Sequence, residues 1–127
     1  LKQHGIAGRV SCMELSLSTV LREEPKAVAA KTVSRYPSSD VDLAFVVPNT
    51  VSAFDVHRAV RQGAGALAVS VDLFDIYRGK GVSDDSRSLA FRIRLQAPDR
   101  TLTDEEVAAA RQKSIDAVAK LGAQLRA

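Results

Sequence analysis

Tryptophan is absent from this 127-residue chain, and four Phe and two Tyr are its only other large aromatics. A core must therefore be built mainly from Val, Leu and Ala. Cys12 is the single cysteine, which excludes an intramolecular disulfide and nearly excludes a cysteine-based metal site. Only two histidines are present, His4 and His57. No apolar run approaches the roughly 18 residues of a membrane span, and the opening residues do not read as a signal peptide. A soluble, cytoplasmic protein with no membrane partner is expected. The charge excess is only +3, which fits a nucleic-acid partner but fits many other proteins as well. What is present is 46% hydrophobic and 26% charged residues with four prolines, the balance of a folded domain rather than a disordered one. The length allows one domain, or one domain with an attached fragment. The opening Leu1-Lys2-Gln3-His4-Gly5 reads as mid-chain sequence, so an excised part of something larger is expected.

Two parts can be separated. In residues 1–33, Arg9 to Leu17 alternates approximately and reads as a strand, Ser18 to Leu21 as a short helical turn, and Arg22-Glu23-Glu24-Pro25-Lys26 as an exposed connector. A lone strand cannot bury its own face, so this part should lean on an upstream module. Residues 34–127 are more regular. Asp42 to Val47 is a strand closed by Pro48. Ser52 is a good N-cap with Asp55 three residues on, and Val51 and Val56 stand at the staple positions. The helix that follows turns Val56, Ala59, Val60 and Ala64 inward, and Gly63 and Gly65 mark its end.

Leu67 to Tyr77 is a long strand, and Gly79-Lys80-Gly81 with Ser83-Asp84-Asp85-Ser86 makes the turn. In Ser88 to Gln96, Leu89, Phe91, Ile93 and Leu95 point one way and Ser88, Ala90, Arg92, Arg94 and Gln96 the other, as in a sheet with one buried and one wet face. Thr103 and Glu106 form a capping box, with Asp104 and Glu105 adding negative charge at the helix start. Val107, Ala110, Arg111, Ser114, Ile115, Val118 and Leu121 make the inner stripe of the last helix, and Gly122 stops it. Residues 123–127 supply a last edge strand. The order β-α-β-β-α-β is the α+β, ferredoxin-like split βαβ plan, with two helices on one face of a four-stranded antiparallel sheet and the other face free for a partner.

Little in these residues supports catalysis. His57 lies on a helix beside Arg58, and His4 near the start of the chain. Asp72 and Asp75 fall on opposite faces of a regular strand. Gly79-Lys80-Gly81 lacks the following Ser or Thr of a phosphate loop. The basic residues Arg78, Lys80, Arg87, Arg92 and Arg94 are the RNA-binding candidates: a hairpin end would present the first three, while Arg92 and Arg94 line the wet sheet face. Such cations supply affinity for phosphates rather than base choice. Base choice needs stacking residues. Phe74 and Tyr77 are the available platforms, although strict alternation puts them on opposite faces.

Several spaced blocks, taken jointly, resemble a known family. Ser34-Arg35-Tyr36-Pro37 and Asp42-Leu43-Ala44-Phe45-Val46-Val47 are similar to the opening of the ferredoxin-fold anticodon-binding domain that ends the β subunit of bacterial phenylalanine–tRNA ligase. The similarity continues through Val71 to Gly81, Ser88 to Arg92, and Arg100 to Val107, covering the chain from about Ser34 onward. Gly8 to Leu15 resembles, less specifically, the last strand region of the synthetase-like module before that domain. The resemblance implies a tRNA-binding part of an α2β2 ligase, partnered by its α subunit, that uses ATP and Mg²⁺ to attach phenylalanine to tRNA. It places catalysis in the α subunit and implies no catalytic residue, metal or cofactor within this segment. One departure stands out: relatives commonly carry a basic pair just before the aspartate, where this chain has Asp40-Val41, so positive charge must come from elsewhere, with 78–94 the obvious source. The alternatives are a protein-interaction domain or an amino-acid-sensing domain of the same topology, which fold analogy alone does not separate.

Overall fold

The computed structural model describes residues 2–5, 7–22 and 33–126. The chain divides into two compact units, Leu1–Thr32 and Val33–Ala127. In the first, a 3₁₀ turn spans Lys2–His4 and a short helix, α1, spans Leu17–Arg22. The expected helical turn is therefore present, but Arg9 to Ser16 forms no strand and its side chains are exposed. A strand needs ladder partners for its backbone N–H and C=O groups, and the described residues of this unit offer none. The expected connector falls mostly at 23–32, outside the described residues.

The second unit has the element order β1 (Ser39–Pro48), α2 (Ala53–Ala64), β2 (Ala68–Tyr77), β3 (Ser86–Leu95), α3 (Asp104–Ala119) and β4 (Gln124–Leu125). The sheet order is β2-β3-β1-β4 and every pairing is antiparallel, which is the ferredoxin-like arrangement read from the sequence. Leu43, Phe45 and Val47 of β1 and Leu89, Phe91, Ile93 and Leu95 of β3 are buried on one face, with the Phe45 and Phe91 rings 6.5 Å apart. Val56 and Val60 of α2 and Val118 of α3 complete this core. Register is fixed by these residues. A slip of one position would expose each of them, at about 1.5–3 kcal/mol per large side chain.

Helix starts behave as their sequences suggest. The Ser52 hydroxyl accepts from the Asp55 N–H (3.1 Å) and donates to its carboxylate (2.7 Å). Thr103 and Glu106 complete a reciprocal capping box. Two expectations need correction. Gly63 does not end α2 but lies within it, because there the helix backbone presses against α3: a Cβ at 63 would stand 2.5 Å from Lys113 O and Ser114 Cα. The buried Ser114 hydroxyl sits at this crossing within reach of Val60 O (3.1 Å) and Ala110 O (2.9 Å). Arg111 is exposed rather than part of the inner stripe of α3.

The segment before β1 is tied to the far end of β3. The Ser34 hydroxyl donates to Ala97 O (3.1 Å), and the Gln96 amide donates to Tyr36 O (2.5 Å). On the helical side, His57 Nε2 donates to Val71 O (2.9 Å) beside the Phe91 ring, linking α2 to β2.

Candidate functional site

The face of the sheet turned away from α2 and α3 carries no helix of this unit. Cross-strand register arranges it in four rows running β1, β3, β2: Asp40–Arg94–Ser70, Asp42–Arg92–Asp72, Ala44–Ala90–Asp75 and Val46–Ser88–Tyr77. The first two rows are ionic. Arg92 donates through Nε and Nη2 to both oxygens of Asp42 (2.8 and 2.7 Å), and Arg94 does the same to Asp40 (2.9 and 2.8 Å). Each pair is directly opposed across the β1–β3 ladder. The bidentate hydrogen bonds and the guanidinium charges hold both carboxyls below the usual aspartate range, and the carboxylates raise both arginines. The unusual Asp40 is therefore matched by Arg94 rather than left to repel a ligand.

The other two rows combine small side chains (Ala44, Ala90 and the buried Ser88) and Val46 with Asp75 and the ring of Tyr77. β2 shifts register between Leu73 and Asp75, leaving Phe74 as the extra residue of a bulge. A bulge resets side-chain alternation, so Phe74 joins Ala44, Ala90 and Arg126 around a shallow depression of about 440 Å³ on the open face. The Arg92 guanidinium lies 5.3 Å from the Phe74 ring centre. Tyr77 flanks the same face, with the Arg126 guanidinium 4.9 Å from its ring centre. Phe74 is 54% and Tyr77 37% exposed. Alternation alone separates these two aromatics; the bulge brings them to one surface. The adjacent apolar pair Leu73-Phe74, which interrupts the period of two, was the signal available for it.

Tyr77 is held firmly. Its hydroxyl donates to Lys80 O (3.2 Å), and Gly79, at φ 149°, leaves room for the ring: a Cβ there would stand 3.0 Å from the Tyr77 oxygen. Gly79-Lys80-Gly81 thus supports an aromatic platform and leaves the Lys80 side chain exposed.

The hairpin-end cations differ from one another. Arg78 is exposed and donates to Asn49 Oδ1 (3.0 Å). Arg87 is only 9% exposed. It donates to Pro48 O (3.2 Å), Val51 O (2.7 Å) and Asn49 Oδ1 (3.4 Å). Its parity explains this, since 87 continues the inward series 89, 91, 93, 95, and the expected shared presentation with Arg78 and Lys80 gives way to a bond network beneath the 48–51 turn. That turn is also tied to the hairpin loop, where Asn49 N–H donates to Asp85 O (2.8 Å), and the Asp85 carboxyl, held low by hydrogen bonds from Ser83 and Ser86, fixes the loop at 83–86. Arg126 had no place in the sequence-based candidates. It follows a two-residue strand, its N–H donates to Ala44 O (2.8 Å), and its side chain reaches across the sheet.

Among the described residues no group of three or more His, Cys, Asp or Glu is placed to hold a metal ion, and no helix is long and apolar enough to cross a membrane.

Residues 34–126 match the family described as the ferredoxin-fold anticodon binding domain. Similar proteins include the phenylalanine–tRNA ligase beta subunits of Cutibacterium acnes, 39% identical over 96% of this chain and 15% of the relative, and of Leifsonia xyli subsp. xyli, 42% identical over 92% and 14%. The beta subunit of Synechococcus sp. is 54% identical over 63% of this chain and 10% of its own length. The chain thus spans about 15% of the relatives it matches most fully.

Proposed function

This chain belongs to the ferredoxin-fold anticodon-binding family, with bacterial phenylalanine–tRNA ligase beta subunits as its relatives, and from that we propose that its open sheet face binds the anticodon region of tRNA. The observation that carries the proposal is the pairing of Phe74 and Tyr77 on one exposed surface beside small residues. Single-stranded RNA is held by stacking unpaired bases on aromatic rings, with nearby cations meeting the backbone. Ala44 and Ala90 leave space over the strands for a planar group. Arg78 and Lys80, exposed at the adjoining hairpin end, supply phosphate contacts. Arg92 and Arg94 border the platform, oriented by Asp42 and Asp40, and offer their remaining donors and charge to RNA. Arg87 acts indirectly, by fixing the turn from which Arg78 is positioned.

The relatives support a wider setting as part of the same proposal. We place the chain in the β subunit of an α2β2 phenylalanine–tRNA ligase of the cytoplasm, with residues 1–33 ending the preceding module and 34–127 forming the anticodon-binding domain. The assembled enzyme would join phenylalanine to tRNA with ATP and Mg²⁺. On this reading the chain binds and orients tRNA, and the chemistry belongs to the α subunit.

The test is a titration of phenylalanine tRNA against the assembled ligase at several salt concentrations. Affinity should fall steeply with salt, and Tyr77→Ala should lose one stacked base, about 1–3 kcal/mol. Wild-type affinity that ignores salt, or a Tyr77→Ala variant that binds as the wild type does, would remove the reading. The chain alone should bind far more weakly, because contacts elsewhere in the enzyme act multivalently.

A further inference from the structure

Tyr77 cannot receive a base in the conformation described, because the side chain of Arg126 already lies over its ring. We propose that Arg126 is a movable cover on the stacking site, resting on Tyr77 in the free domain and turning outward to meet RNA phosphate when a base takes its place.

Three observations support this beyond the stacking itself. First, the ring is restrained beneath its cover: its hydroxyl is bonded to Lys80 O and its outer end packs against Gly79. The arginine is the less restrained partner of the two. Second, Arg126 has the freedom to make it. Only its backbone N–H is tied to the sheet, through Ala44 O, and its exposed side chain has no carboxylate partner among the described residues. By contrast, Arg92 and Arg94 on the same face are each clamped by two hydrogen bonds to an aspartate. Third, the electrostatics of the face need a mobile cation. The two aspartates offset Arg92 and Arg94, Asp72 adds negative charge beside Arg92, and Asp75 adds more in the next row. Arg126 is the open-face cation that no carboxylate holds among the described residues, and so the one free to move onto a phosphate. A guanidinium suits both positions, since it stacks on aromatic rings and binds phosphate oxygens through its planar fork.

The cover makes the contribution of Arg126 depend on salt in an uncommon way. Giving up an exposed cation–π interaction weakens binding at every salt concentration, whereas the attraction to phosphate that replaces it fades as salt rises. Removing the side chain should therefore help where salt is high and hurt where it is low.

The inference rests on the RNA-binding reading, and two measurements keep their failures apart. In the full chain without RNA, NMR should find the Arg126 side-chain protons shifted upfield by the Tyr77 ring, and Tyr77→Ala should return them to ordinary positions. Unshifted protons in the wild type would overturn the cover. In the assembled ligase titrated with phenylalanine tRNA, Arg126→Ala should make the log–log salt slope shallower by about 0.7, one single-strand phosphate contact. The two lines should cross, with the variant about two- to five-fold tighter at the high-salt end, the equivalent of an exposed cation–π interaction. Parallel lines, or a variant weaker at every salt concentration, would overturn the proposal. Wild-type binding with no salt dependence would instead remove the RNA reading, and the function of the cover with it, while the ring shift without RNA still reports on the stacking of Arg126.

Discussion

Arg78 and Arg87 carry the same charge near the same turn, yet their environments assign them different work. Arg87 is buried against the carbonyls of Pro48 and Val51, so Arg87→Ala should leave buried acceptors without donors and destabilise the domain by about 1–3 kcal/mol. Arg78 is exposed and bonds one amide oxygen. Arg78→Ala should stay within about 0.5 kcal/mol of wild-type stability but make the salt slope of tRNA binding shallower. Urea unfolding of both variants, beside their salt titrations, checks the division: equal stability losses would refute it. The difference was legible in the sequence through parity, since 87 shares the inward series of Leu89 to Leu95. Arg126 was not legible in the same way. Its position depends on the short pairing of Gln124 and Leu125 with β1, and no local pattern says which side chains a two-residue strand carries over a sheet.

At the scale of elements, the two helices and four strands follow from caps, periodicity and turn residues, all of them local signals. What local signals missed are places where one element answers to another. Gly63 is the plainest case. Helix propensity alone predicts that Gly63→Ala gains about 1 kcal/mol. The added methyl would meet the α3 backbone at 2.5 Å, and backbone cannot rotate away as a side chain can. Overpacking of about 1–3 kcal/mol should win, so the melting temperature should fall. A rise would mean that α2 and α3 separate without cost. The β2 bulge is a second case: alternation read within one strand parts Phe74 from Tyr77, while pairing with β3 brings them together. The strand expected over Arg9 to Leu17 failed for a related reason, because amphipathic alternation specifies a face but supplies no partner for it.

Across the whole molecule, the β1–β3 ion pairs give stability an acid limb. The Asp40 and Asp42 carboxyls are more acidic in the fold than the ordinary aspartate value of 3.8, so the unfolded chain binds their protons first. Their contribution is complete above that value and is lost as pH falls through the lower native values. Both pairs are substantially solvent-exposed, so screening keeps the effect small. Asp40→Asn combined with Asp42→Asn should flatten the dependence of the urea midpoint on pH below about 4 while changing it little between neutral pH and about 5. An acid limb of unchanged steepness in the double variant would show that other carboxyls set it.

The bulge that aims Phe74 also changes how the sheet meets other copies of itself. β2 is ten residues long and lies at the sheet margin, with Val69, Phe74 and Ile76 substantially exposed. A flat strand of that length and character would invite a neighbouring chain to add to its free backbone groups. The register break at Phe74 twists this margin and interrupts its repeat, and the opposite margin, β4, is only two residues long. The same irregularity that shapes the proposed RNA surface therefore guards the domain against edge-to-edge aggregation.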